Sequence, residues 1–99
     1  MRYMFAVLAA SAAIVPFNAA AQDTGGRNLA AACAICHGTS GQPATKDVIP
    51  LAGLPRDHIA RQMRDFRDGK RPATVMHQIA KGYNDKQIDQ IAAWYAAQK

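Results

Sequence analysis

Glutamate is missing from this 99-residue chain, cysteine occurs only twice and tryptophan once. No uninterrupted apolar run reaches the roughly 20 residues that a membrane-spanning helix needs. Without Glu, seven Asp face 12 Lys and Arg, for a formal charge of +5. That balance favours an acidic partner, an acidic substrate or an anionic membrane face. No stretch alternates apolar and polar residues long enough to be a strand, and beyond residue 21 there is no repeat or low-complexity segment. The expectation is one compact all-α unit.

Residues 1–21 stand apart. Arg2 precedes an apolar run from Met4 to Val15, Pro16 breaks it, and Ala19, Ala20 and Ala21 follow. Charge, short apolar core and small-residue exit are the grammar of a secretory signal, and Pro16 and Asn18 cut the run too short for an anchor. Cleavage after Ala21 leaves residues 22–99, a single small domain in the bacterial periplasm. A domain of this size buries too little surface to be comfortable without a disulfide, metal or cofactor.

Four helices are expected. Leu29, Ala32, Cys33 and Cys36 lie on one face of a helix over residues 26–36, with both cysteines on the buried stripe. A Gly- and Pro-rich loop follows, to Pro55. Pro55 suits a first helical position and Gly69 a cap, so a second helix lies between them, with Ile59, Met63 and Phe66 as its stripe. A short third helix covers residues 73–81. The fourth opens at Asn84 and Gln87 and presents Ile88, Ile91, Ala92 and Tyr95. Six basic residues crowd Arg56 to Arg71. Asp57 with Arg61, and Arg64 with Asp68, are spaced for pairing along a solvated helix face. Nucleic-acid binding is disfavoured, because the chain is expected to be exported and only Phe66 interleaves that basic run.

The chemistry lies in "CAICHG", residues 33–38. A zinc site would need a fourth ligand, and His58 and His77 are not at finger-like spacing. A redox dithiol expects a βαβ pattern around it, which is absent. A disulfide between Cys33 and Cys36 closes too short a loop to restrain the unfolded chain. Thiols three apart on one helical turn can instead each add across a haem vinyl group, while His37 reaches the iron as an axial ligand. The macrocycle then completes the core. Met63 and Met76 are the candidate second ligands: the stripe with Ile59 and Phe66 accounts for Met63, whereas Met76 belongs to no such stripe, which favours Met76. His58 and His77 are expected to be surface histidines.

With Gly25 eight residues before Cys33, the CAICHG motif, and "IAAWY" at residues 91–95, the chain resembles class I c-type cytochromes over residues 22–99. The resemblance implies one covalent haem c, electron transfer rather than catalysis, and a close crossing of first and last helices at Gly25 and Trp94. "IPLAG" resembles the family's proline-led loop, implying that the Pro50 carbonyl accepts a hydrogen bond from His37. Residues 73–96, "ATVMHQIAKGYNDKQIDQIAAWYA", resemble more narrowly the cytochrome subunit of flavocytochrome c sulfide dehydrogenase. This implies Met76 as the distal ligand and a sulfide-oxidising flavoprotein as partner. Two rivals are a free diffusible carrier serving an oxidase or reductase, and a gas-binding haem protein with an open sixth position.

Overall fold

A computed structural model describes residues 23–99, and the expected export segment lies outside them. Among the described residues the elements are α1 (Asp23–Ala30), α2 (Ala34–His37), α3 (Arg56–Arg67), α4 (Met76–Ala80) and α5 (Asp85–Ala96), with no strand. The all-α expectation holds. α5 packs on both α1 and α3, and α4 packs on α3.

Local chemistry explains where the long helices begin and end. At α5, the Asn84 side chain accepts from the Gln87 amide at 2.9 Å and the Gln87 side chain accepts from the Asn84 amide at 3.0 Å. This reciprocal box satisfies two backbone donors that a helix start leaves open. Pro55 is the residue that caps α3 rather than its first turn, and its carbonyl accepts from Ile59 N at 3.1 Å. At the other end Lys70 N bonds Asp65 O at 2.8 Å and Gly69 N bonds Phe66 O at 3.3 Å. With Gly69 at a φ of 75°, this is the double bond of a Schellman stop.

The expected α5 stripe is buried in full, and Ile59 and Met63 are buried as expected, but Phe66 and Leu29 are only half-buried and Ala32 is exposed, while Ala30 and Ala60 join the core unannounced by the pattern. Ile88, Ile91, Ala92 and Tyr95 of α5 meet Ile59, Ala60 and Met63 of α3 and Ala30 of α1. Each buried Ile contributes roughly 1.5–3 kcal/mol relative to exposure. The tightest crossing of α1 and α5 falls one residue later than expected. A Cβ on Gly26 would stand 2.7 Å from the Gln90 backbone carbonyl oxygen and 3.1 Å from Trp94 Cβ, whereas one on Gly25 would meet only the Gln90 side-chain nitrogen Nε2, at 3.2 Å.

The helix expected over residues 26–36 is interrupted. Between Ala31 and Ala34 the amides bond three residues back, Cys33 N to Ala30 O at 3.0 Å and Ala34 N to Ala31 O at 3.3 Å. A three-residue turn advances the chain by a different angle than an α-turn, so residues beyond it leave the stripe set by Leu29. Cys33 is half-buried against the core as a result, while Cys36 is exposed.

The ion pairs also differ from the expectation. Arg64 does not hold Asp68 but crosses to α5, with Nη2 2.7 Å from Asp89 Oδ1 and Nε 3.2 Å from Asp85 Oδ1. Arg67 reaches Asp85 as well, at 2.7 Å. Asp85 and Asp89 lie one turn apart on α5, so they offer two carboxylates on the side facing α3, which the solvent side of α3 does not. Hydrogen bonds from Arg67 and then Arg64 hold the Asp85 carboxyl below its ordinary value of 3.8. A depressed carboxylate stabilises the fold above that ordinary value, and the contribution fades as pH falls through the lowered one. An Asp85→Asn variant is therefore expected to melt below the parent at neutral pH, with the gap closing in strong acid. Melting curves at pH 7 and pH 2 check this, and added salt should narrow the gap at pH 7.

Candidate haem site

The motif turn is built on a single backbone carbonyl. Cys33 O accepts from His37 N at 2.9 Å and from Cys36 N at 3.3 Å, so both cysteines and the histidine share one helical turn. Gly38, with a φ of 84°, then turns the chain out of α2.

His37 Nδ1 lies 2.9 Å from the carbonyl oxygen of Ile49. A carbonyl only accepts, so Nδ1 carries the proton and Nε2 keeps a free lone pair, the state a metal-ligating imidazole requires. The carbonyl expected here was that of Pro50. The bond goes instead to the residue twelve positions after His37, one earlier than the proline. Reach decides this, because every residue has a carbonyl and the loop's closure determines which one faces the imidazole.

That closure rests on Gly41. Its carbonyl accepts from Leu51 N at 2.8 Å and Ala52 N at 3.1 Å, tying the loop at its neck and leaving Ile49 on the arch. Gly41 is buried and its φ is 81°, a conformation that disfavours any side chain. Nothing in the sequence pattern marked Gly41 or Ile49 for this task.

Cys33 packs against the core cluster that contains Tyr95. Burial pushes the Cys33 thiol up, and the Tyr95 hydrogen bond partly offsets that rise. Burial also pushes the Tyr95 phenol well above the usual tyrosine range, with Cys33 adding to the effect, and burial raises Tyr83. The Tyr95 hydroxyl donates to Ala30 O at 3.2 Å.

Of the two methionines, Met63 is 6% exposed in the core cluster. Met76 is half-buried at the start of α4, just after the exposed Val75. His58 is exposed, as expected. His77 is not a plain surface histidine: its Nδ1 is buried without a hydrogen-bond partner. Among the described residues no three or more His, Cys and Asp side chains gather to hold a metal ion.

The donor set fits a covalently attached haem: two free thiols on one turn and an imidazole whose outer nitrogen is already committed to a carbonyl. A small all-α domain carrying this turn between crossing terminal helices defines a class of protein, the mono-haem class I c-type cytochromes, which transfer electrons and are not enzymes. The chain belongs to the family described as cytochrome c oxidase, cbb3-type, subunit III, whose model matches residues 20–94. It carries one covalent haem c.

Three relatives illustrate the spread of the family. Cytochrome c4 of Pseudomonas aeruginosa is 34% identical over 82 residues, covering 83% of this chain and 41% of the relative. The cytochrome subunit of sulfide dehydrogenase of Chlorobaculum tepidum is 39% identical over 71 residues, 71% of this chain and 63% of the relative. Cytochrome c-554(548) of Halomonas halodenitrificans is 32% identical over 77 residues, 75% of this chain and 93% of the relative. The chain thus spans less than two thirds of the first two and nearly all of the third. No helix among the described residues is long and apolar enough to cross a membrane.

Proposed function

We propose that Cys33 and Cys36 form the two thioethers, that His37 and Met76 are the axial ligands, and that the Ile49 carbonyl orients His37. The observation that carries this is the 2.9 Å contact from His37 Nδ1 to Ile49 O, which leaves Nε2 as the free donor. Met63 is committed to the core, which supports Met76 as the thioether. The haem supplies a one-electron ferric and ferrous couple; a His and Met pair raises its potential, because thioether sulfur favours the reduced form. Held in orientation by the Ile49 carbonyl, His37 would offer the same nitrogen to the haem iron whichever its oxidation state.

The proposal extends to setting and partner. Residues 1–21 direct export, so the protein works in the periplasm. There it accepts electrons from a sulfide-oxidising flavoprotein, a reading supported by the 39% identity to a sulfide dehydrogenase cytochrome subunit and by the pattern of residues 73–96. A free diffusible carrier is the second reading. It is favoured by the match across 93% of a cytochrome whose name mentions no enzyme. Purification of the native protein in mild salt, followed by mass spectrometry and flavin absorbance, separates the two. Under the first reading a flavoprotein co-elutes in fixed ratio and sulfide reduces the haem. Elution as a lone red monomer would sink it in favour of the carrier.

A further inference from the structure

Tyr95 touches both arms that converge on His37. It is fully buried on α5. Its hydroxyl donates to Ala30 O at 3.2 Å, three residues before Cys33, on the arm that leads into the motif. Its backbone carbonyl accepts from Gly53 N at 3.0 Å, at the far side of the loop neck. Its ring edge stands against Gly41 so closely that a Cβ there would come within 2.9 Å of Cδ1. Gly41 O in turn ties Leu51 and Ala52, and the arch they close presents the Ile49 carbonyl to His37.

We propose that Tyr95 is a positioning residue for His37, its ring serving as the backstop that holds the loop neck and hence the Ile49 carbonyl at bonding distance from the imidazole. The proposal rests on His37 being the axial ligand. The α5 helix is capped and its inner face is buried, so it serves as a common reference for the segments on either side of the motif. Gly41 N bonds Gly38 O at 3.1 Å and so hangs the neck from the end of α2, but one such bond still lets the neck drift sideways. The ring prevents that drift by contact with a glycine that has no side chain to intervene. The Ile49 carbonyl then keeps the Nδ1 proton shielded and the imidazole electron-rich, which a c-type haem reads as a potential.

The test uses the holoprotein in its reduced form, following exchange of the His37 Nδ1 proton with solvent by NMR together with the reduction potential. Tyr95→Leu removes the ring, and its His37 proton is expected to exchange roughly tenfold faster or more, with an upward shift in potential as the ligand becomes less basic. Ile91→Ala is the comparison, since Ile91 is as deeply buried on α5 but contributes no bond to the loop. It should lower the melting temperature while leaving the His37 proton protected. Equal loss of protection in both variants would make Tyr95 merely structural and overturn the proposal. If the Leu variant does not fold, Tyr95→Phe decides: the ring remains, so protection of the His37 proton should stay within roughly twofold of the parent while amides near Ala30 exchange faster. Loss of His37 protection in the Phe variant would overturn the ring's role. His37→Ala tests the underlying reading separately: a spectrum unchanged by it would mean that His37 is not the ligand, whatever Tyr95 does.

Discussion

A Met76→Ala variant is expected to give a high-spin ferric spectrum, to bind carbon monoxide when reduced at neutral pH, and to lose potential on the order of 0.1–0.3 V out of the roughly 0.8 V that axial ligands span. The physical reason is that, among the described residues, neither Met63 nor His77 stands ready to replace Met76 under the proposed ligation. Met63 is locked in the core among Ile59, Ala60 and the α5 residues. His77 follows Met76 directly, and successive helical positions diverge by about 100°, so its ring cannot replace the thioether without unwinding α4. Met63→Ala supplies the contrast. It should destabilise the fold by roughly 2–5 kcal/mol through a core cavity while leaving the spectrum low-spin. Carbon monoxide binding by the unmodified protein would instead support an open sixth position and remove Met76 from the site. A low-spin Met76→Ala variant that refuses carbon monoxide would reopen Met63 and the histidines.

The second large effect is expected at Gly41. Gly41→Ala adds the cost of a left-handed backbone, roughly 1–2 kcal/mol, to that of overpacking, roughly 1–3 kcal/mol. The new Cβ would stand 2.6 Å from Ala52 N and 2.9 Å from the Tyr95 ring. Backbone cannot yield as a flexible side-chain tip can, so the loop neck must open. For a domain of this size each kcal/mol lowers the melting temperature by about 4–8 °C, and thermal unfolding of the holoprotein reads the sum. Gly69→Ala isolates the conformational part, because Gly69 has a φ of 75° but open space around its Cβ position. It should cost only the roughly 1–2 kcal/mol of the backbone term. If the two variants melted together, the contact at the loop neck would carry no energy.

Much of the architecture was legible along the chain because local rules act over a few residues. The capping box at Asn84 and Gln87, the glycine stop after α3 and the buried face of α5 are written in spacings of three and four, and each is where that spacing places it. The C-x-x-C-H motif is likewise local, since its geometry needs only one turn of helix. The tightened turn at Ala31 to Ala34 escaped the pattern because the 3.6-residue period assumes an unbroken α-helix. Cys36 then leaves the stripe on which strict periodicity places it.

What the sequence by itself determined is the helical class, the basic charge and the C-x-x-C-H motif on which the proposed haem attachment at Cys33, Cys36 and His37 rests, all properties of residue types and short separations. What only the tertiary structure decided is which distant groups meet: the Ile49 carbonyl at His37 in place of Pro50, Arg64 across to Asp85 and Asp89 rather than along α3, and Tyr95 against Gly41. Backbone carbonyls and glycines carry no side-chain signature of their partners. Their roles follow from where loop closure and helix crossing set them in space, and a linear pattern cannot encode that.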